Sequence, residues 1–238
     1  MSLSNSLIII PTYNESKNIL PLLEHIFGKY PSIQVLIIDD NSPDQTASLI
    51  ENLQKNNSCL HLIKRSSKLG LGTAYIQGFK WALKDPNIQY IFQMDADFSH
   101  DPNSLEGLLT LVLAGNDLVV GSRYINGIRI INWPIGRLLL SYFAGIYTRF
   151  ITRIPIQDPT GGLKCFKRKV LENIALDKIR CNGYSFQIEM NYKIWKKGFR
   201  IAEYPIIFYE RTMGASKMNK KIVLEAVFAV IFLRLGLF

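Results

Sequence analysis

Residues 88–102 read Ile88-Gln-Tyr-Ile-Phe-Gln-Met-Asp-Ala-Asp-Phe-Ser-His-Asp-Pro102, an apolar strand that runs straight into two carboxylates, Asp95 and Asp97, one residue apart. The C-terminal end of a strand is where an α/β protein places its chemistry. Carboxylate oxygens suit a hard cation such as Mg2+ or Mn2+, which keeps waters and is completed by substrate phosphates rather than enclosed by protein. The triplet therefore points to a metal-bridged nucleoside diphosphate. The plainer alternative is that Asp97 or Asp101 caps the helix opening at Pro102.

Upstream of this stretch, apolar runs alternate with helical patterns. Strands are expected at Leu7–Ile10, Gln34–Ile38, Leu60–Lys64, Tyr90–Met94 and Leu118–Gly121. Such alternation predicts βαβ units around a mostly parallel, Rossmann-like sheet flanked by helices. Asp101-Pro102 supplies an N-cap and a first-turn proline, and Ser42-Pro43-Asp44-Gln45 fits a capping box with proline at the first helical position. The polar loops Pro11–Glu15, Asp39–Ser42 and Asp95–Asp97 then converge on one rim. The second half is less regular, with an apolar and aromatic segment at Ile135–Ile151, a turn at Asp158–Gly162 and a helix at Tyr184–Lys197. Short strands follow around Ile201–Tyr209, then a loop at Glu210–Lys220 and a closing apolar helix at Ile222–Phe238.

At 238 residues, with 48% hydrophobic residues and no linker or repeat, one α/β domain over 1–221 closed by the helix 222–238 is the expected organisation. The closing helix falls short of a ~30 Å hydrocarbon core and carries Glu225 and Arg234, so it is not expected to span a membrane. The N-terminus has no basic segment before its short apolar run, which predicts a chain that stays in the cytosol. Cys59, Cys165 and Cys181 show no paired spacing, so reduced thiols are expected rather than disulfides or zinc. The net charge of +9 is scattered and accompanies no nucleic-acid-binding signature, which argues against a nucleic acid partner. Gly70-Leu-Gly-Thr-Ala-Tyr75 follows the third strand and puts Tyr75 where a dinucleotide fingerprint needs a small residue. No P-loop, histidine metal set or nucleophile elbow occurs, and His100 near the Asp pair reads equally as a substrate contact or a solvated loop residue.

Pro11-Thr-Tyr-Asn-Glu15, Asp39-Asp-Asn-Ser-Pro-Asp44, Leu69–Tyr75, Asp95-Ala-Asp-Phe-Ser-His100 and Gly121-Ser-Arg-Tyr124 occur in order. In this set the chain resembles a family 2 glycosyltransferase of GT-A fold. Asp158–Lys164, Gly183–Met190 and Glu210–Met218 extend the resemblance to the polyprenyl (dolichyl) phosphate mannosyltransferases over nearly the whole chain. The resemblance implies transfer of mannose from GDP-mannose to a polyprenyl monophosphate, with inversion and a Mg2+ or Mn2+ cofactor. It further implies that Pro11, Tyr13, Glu15, Ile38 and Asp40 hold the donor's base and ribose, and that Asp95, Ala96 and Asp97 meet ribose, diphosphate and metal. Arg211 and Lys217 would contact the diphosphate, and Arg123, Arg137 and Ser141 would receive the lipid phosphate. A planar guanidinium suits that phosphate.

Two departures from the family pattern stand out. Gln45 replaces the usual glycine after Ser-Pro-Asp, a change the capping box is expected to absorb, and the glycine pair after Tyr124 becomes Asn126-Gly127-Ile128. The aromatic residues of Ile135–Ile151, interspersed with Arg137, Arg149 and Arg153, suit a helix lying on a bilayer surface, although core helices are the alternative. Attachment to the cytosolic face of a membrane, with or without an anchoring subunit, is the resulting expectation. Competing functions are a UDP-sugar transferase acting on the same kind of lipid phosphate and a non-catalytic nucleotide-binding partner protein.

Overall fold

The structure, a computed structural model, describes residues 3–210 and 220–237. In chain order it runs β1 (Ser6–Thr12), α1 (Ile19–Lys29), β2 (Gln34–Asp39), α2 (Thr46–Gln54), β3 (Leu60–Lys64), α3 (Leu71–Ala82), β4 (Tyr90–Gln93), α4 (Leu105–Leu113), β5 (Leu118–Ser122) and β6 (Ile130–Ile131). It continues through α5 (Ile135–Thr152), β7 (Lys164–Lys167), α6 (Arg168–Asn173), α7 (Gly183–Lys196), β8 (Ile201–Pro205), β9 (Phe208–Tyr209) and α8 (Lys220–Leu235). Seven strands form one sheet in the order β3-β2-β1-β4-β7-β5-β8, and β6 pairs with β9 beside it. All sheet neighbours are parallel except β7, which lies antiparallel between β4 and β5.

The strands are apolar on both faces because both are covered. Ile8, Ile10, Val35 and Ile37 pack under α1 and α4, while Leu7, Ile9, Leu36 and Ile38 pack under α3 and α7. The chain leaves β1 for β2 and β3 on one side and returns to β4 on the other. That reversal opens a crevice at the C-terminal ends of β1 and β4, the place where open α/β sheets bind ligands. The predicted α/β class, the mostly parallel sheet and the five strands read from sequence are all present.

The predicted capping box at Ser42–Gln45 does not form. The Ser42 hydroxyl donates to Asp39 Oδ2 at 2.5 Å and accepts the Asn14 amide at 3.0 Å, so it is not available to cap a helix. Instead α2 begins at Thr46, whose amide and hydroxyl both donate to Asp44 Oδ1. Gln45 is thereby forced to φ 67° and ψ 13°. A side chain in that left-handed region costs roughly 1–2 kcal/mol, which explains why glycine is the ordinary occupant.

α5 inverts the usual amphipathic logic. It buries only its small residues Gly145, Thr148 and Thr152, and it exposes Ile135, Leu139, Leu140, Phe143, Ile146 and Phe150. It is not a core helix. α8 packs Val230 and Leu233 against Ile188 and Tyr192 of α7 and turns Phe228, Phe232 and Leu235 outward. Among the described residues no helix is long and apolar enough to cross a membrane.

Candidate active site

The rim of the crevice is built by side chains that bind neighbouring loops. Asp39, at the end of β2, accepts the Thr12 hydroxyl at 2.9 Å and the Ser42 amide at 2.9 Å, tying the end of β1 to the loop after β2. Asp44 accepts the Ser16 amide at 3.0 Å, and Thr46 accepts the Glu15 amide at 3.1 Å. Asp40 is buried, paired with Arg65 at 2.7 Å and bonded by the Gly70 amide at 3.1 Å. It therefore fixes the loop after β3 at the same rim. Lys68 of that loop stands 3.6 Å over the Tyr13 ring, close enough for cation–π attraction.

The Asp95–Asp97 turn follows β4. The Asp95 amide donates to His100 Nδ1 at 3.2 Å, and the Asp97 carboxylate accepts the Ser99 amide at 3.1 Å while Phe98 takes φ 58°. His100 is buried and meets Phe208 edge-on, so it is not a solvated loop residue, and its Nδ1 props the turn by accepting the Asp95 amide. Asp101 caps the following turn by accepting the Asn103 amide. The Tyr75 hydroxyl donates to Met94 O at 3.2 Å and lies 3.4 Å from Asp95 Oδ1. Burial first, and then the Asp95 charge, push the Tyr75 hydroxyl well above its usual pKa, which keeps it a proton donor to this carboxylate.

These residues fit a hard divalent ion. The Asp95 side chain is 33% exposed, and Ser99 Oγ is buried with no hydrogen-bond partner among the described residues. Among the described residues there is no group of three or more His, Cys, Asp or Glu side chains that could hold a metal. An ion on Asp95 and Asp97 would thus take the rest of its shell from water and substrate phosphate, as Mg2+ and Mn2+ commonly do.

A second cluster adjoins the turn. Arg123, at the end of β5, donates from its amide, Nε and Nη2 to Asp158 at 3.0, 2.7 and 2.7 Å, and from Nη2 to Thr160 at 2.7 Å. Burial opposes the charge on each partner, but each charge offsets the burial of the other. The Arg123 pKa stays above its usual value and that of Asp158 below the usual carboxylate range. Trp133 lies between the two arginines, 4.0 Å from the Arg137 guanidinium and 5.5 Å from that of Arg123. Arg137 Nη1 is held by both oxygens of Glu210, at 2.6 and 2.7 Å. Tyr124 donates its hydroxyl to Ser141 Oγ at 2.7 Å.

The Asp158–Gly162 turn joins the two halves. Asp158 grips Arg123, while a Cβ built on Gly162 would stand 3.3 Å from Asp95 Oδ2 and 3.0 Å from His100. Phe208 bridges the same gap, 5.5 Å from the His100 ring and 5.4 Å from Trp133.

Among the residues expected from sequence, Pro11, Tyr13, Glu15, Asp40, Asp95, Ala96 and Asp97 lie at or just beyond the C-terminal ends of β1, β2 and β4. Ile38 packs its side chain into the core under α3, leaving only its backbone near the rim. Arg123, Arg137 and Ser141 gather around Tyr124 and Trp133. Arg211 and Lys217 lie outside the described residues. Sequence reasoning gives no role to Trp133, Asp158 or Glu210, although Asp158–Lys164 and Glu210–Met218 carry part of the family resemblance. Asn126 and Gly127, where the glycine pair is broken, have φ 60° and 96°. Asparagine tolerates that region, so Asn126 takes it without a glycine.

The family described as Glycosyl transferase family 2 matches residues 7–175. Among curated proteins, the chain is 42% identical to a polyprenol monophosphomannose synthase of Mycolicibacterium smegmatis, covering 94% of this chain and 85% of that one. It is 39% identical to an undecaprenyl-phosphate mannosyltransferase of Micrococcus luteus, covering 93% and 90%. It is 33% identical to a dolichol-phosphate mannosyltransferase of Pyrococcus furiosus, covering 92% of this chain and 60% of that one. Among solved structures, glucosyl-3-phosphoglycerate synthase from Mycobacterium tuberculosis with Mn2+, UDP and phosphoglyceric acid superposes with a TM-score of 0.69. The identity is 16%, over 97% of this chain and 78% of that one, a likeness of fold.

Proposed function

The chain belongs to glycosyl transferase family 2, and on that premise we propose that it transfers mannose from GDP-mannose to a polyprenyl monophosphate, with inversion, giving a polyprenyl β-D-mannosyl phosphate. The observation that carries the reading is the contiguity of two unlike sites: a carboxylate turn at the sheet's switch point and an arginine cluster at the start of an exposed apolar helix. The first suits a nucleoside diphosphate with its ion, and the second a phosphate on a lipid. The names of the three curated relatives support the same acceptor class and sugar.

In this mechanism Pro11, Tyr13, Glu15, Asp40 and the Ile38 backbone receive the base and ribose, and Asp95 and Asp97 would hold Mg2+ or Mn2+ against the diphosphate. The ion, when bound, neutralises charge on the departing diphosphate. Arg211 and Lys217 are assigned to the same phosphates, adding fixed positive charge where the leaving group develops its own. Arg123 and Arg137 present guanidinium donors to the lipid phosphate beside the Ser141 hydroxyl. Asp158 keeps Arg123 aimed, and Glu210 must give up Arg137 as the phosphate enters. The acceptor is already largely dianionic at neutral pH, its second pKa being about 6, so no side chain need remove a proton. A phosphate oxygen attacks the anomeric carbon from the face opposite the diphosphate, the carbon–oxygen bond to that group breaks, and GDP departs.

The exposed stripe of α5, rimmed by Arg149 and Arg153, and the outward residues of α8 would rest on the cytosolic surface of the membrane that holds the acceptor. Purified protein offered GDP-mannose or UDP-glucose with a short polyprenyl phosphate and Mg2+ tests the reading. The expected product is mannosyl lipid with a β anomeric centre by NMR. Glucosyl lipid or an α product would overturn it.

A further inference from the structure

A crevice of about 860 Å3 lies away from the crevice at the sheet's switch point, between the segment 174–180, the C-terminal half of α7 and the last described turn of α8. Its walls carry Lys178, Arg180, Lys193, Lys196, Lys197 and Arg234 against a single carboxylate, Asp177. That carboxylate is taken by Lys80, and Lys193 is neutralised by Glu189 at 2.6 Å. The other five cations form no salt bridge among the described residues. The proposed mechanism uses none of them.

We propose that this crevice binds the phosphodiester headgroup of an anionic phospholipid in the bilayer on which the protein rests. Charge complementarity supplies the first reason. The second is the apolar surface on which the crevice opens. Leu235 and Leu237 in its wall are 65% and 58% exposed, and Leu235 continues the outward stripe of Phe228 and Phe232. α8 is fastened to α5 where Tyr147 donates to Val227 O at 3.1 Å, so the exposed stripes of the two helices adjoin. A soluble anion would leave those leucines in water, whereas a lipid covers them with acyl chain while its phosphate meets the lysines. The ring of Tyr192 lines the crevice and, with Trp195, lies beneath Lys196 at 5.8 and 5.6 Å. Tyr192 itself is buried against Val230 and Leu233, so the floor of the crevice beneath Lys196 is apolar and fixed to α8.

The inference rests on the membrane-surface reading above, and the test separates the two. Flotation of the full chain with phosphatidylcholine vesicles reports apolar attachment, and vesicles with one-fifth phosphatidylglycerol report the added headgroup term. A basic residue near an anionic leaflet contributes about a fivefold gain in partition, so neutralising three should cost about a hundredfold. The triple variant Lys178→Gln, Lys196→Gln, Lys197→Gln should lose that much of the phosphatidylglycerol increment at low salt. It should keep wild-type binding to neutral vesicles, wild-type thermal stability and wild-type transfer to a detergent-solubilised short acceptor. An unchanged increment overturns the headgroup site alone. No flotation of wild type with either vesicle overturns the membrane reading and the headgroup site with it. Millimolar glycerophosphoglycerol, the headgroup without chains, should leave the wild-type melting temperature unmoved. A rise that the triple variant lacks would assign the crevice to a soluble anion instead.

Discussion

Asp158→Asn isolates the electrostatic joint between the two halves of the site. The substitution keeps the shape of the side chain and removes its charge, leaving the Arg123 guanidinium, 5% exposed, without a counterion. Asp158 takes three hydrogen bonds from Arg123 at 2.7–3.0 Å and is itself fully buried. Breaking such a buried pair from one side costs about 3–5 kcal/mol, a large share of the roughly 5–15 kcal/mol that stabilises most domains. For a chain of this size each kcal/mol moves the melting temperature by about 2–4 °C, so a fall of about 6–20 °C is expected in a thermal melt at neutral pH. The pH dependence has a definite sign. The folded pKa of Asp158 is lowered, so its contribution is complete above the unfolded carboxylate value of about 3.9 and fades as pH falls through the folded value. The gap between wild type and variant should therefore be constant near neutrality and close in acid below about pH 4. Replacing both partners with apolar residues, Arg123→Met with Asp158→Leu, should recover much of the stability without restoring transfer. A variant Asp158→Asn that melts within 2 °C of wild type would refute the reasoning.

Two further outcomes are expected. Gln45→Gly relieves about 1–2 kcal/mol of left-handed strain and returns about 0.4–1 kcal/mol through the freer unfolded chain, so the melt should rise by a few degrees at most; a fall would show that Gln45 makes a compensating contact. Glu210→Gln removes the carboxylate that occupies Arg137, a partly exposed pair worth about 0.5–1 kcal/mol, so KM for the lipid phosphate should fall about two- to fivefold in initial-rate assays, whereas a rise would make Glu210 an aid to binding.

The strands that surround the crevice were legible because burial on both faces makes them continuous apolar runs, as in Leu7–Ile10 and Val35–Ile38. β7 was not, because Lys164-Cys-Phe-Lys167 reads as a basic surface tract. In the structure Lys164 is fully buried in mid-sheet, and that burial takes its pKa well below the usual lysine value. Only tertiary pairing with β4 and β5 reveals such a strand. The helix start at Ser42 failed for a similar reason, since Asp39 and Asn14 claimed the hydroxyl that local pattern assigned to a cap. At the site, the Asp95–Asp97 pair is legible from residue type and the arginines only through the family resemblance, and what aims them is legible from neither. Asp158 and Glu210 act across separations in sequence that local pattern does not record, 35 residues between Arg123 and Asp158 and 73 between Arg137 and Glu210.

The most direct measurement follows label from GDP-mannose into an organic extract containing polyprenyl phosphate. It compares wild type with Mg2+, wild type with excess chelator, and Asp97→Asn, whose folding is confirmed by an unchanged melt. Label in the lipid phase for the first alone is the predicted result. Equal incorporation by all three would contradict the assignment of the Asp95–Asp97 turn, and none by any would contradict the proposed transfer itself.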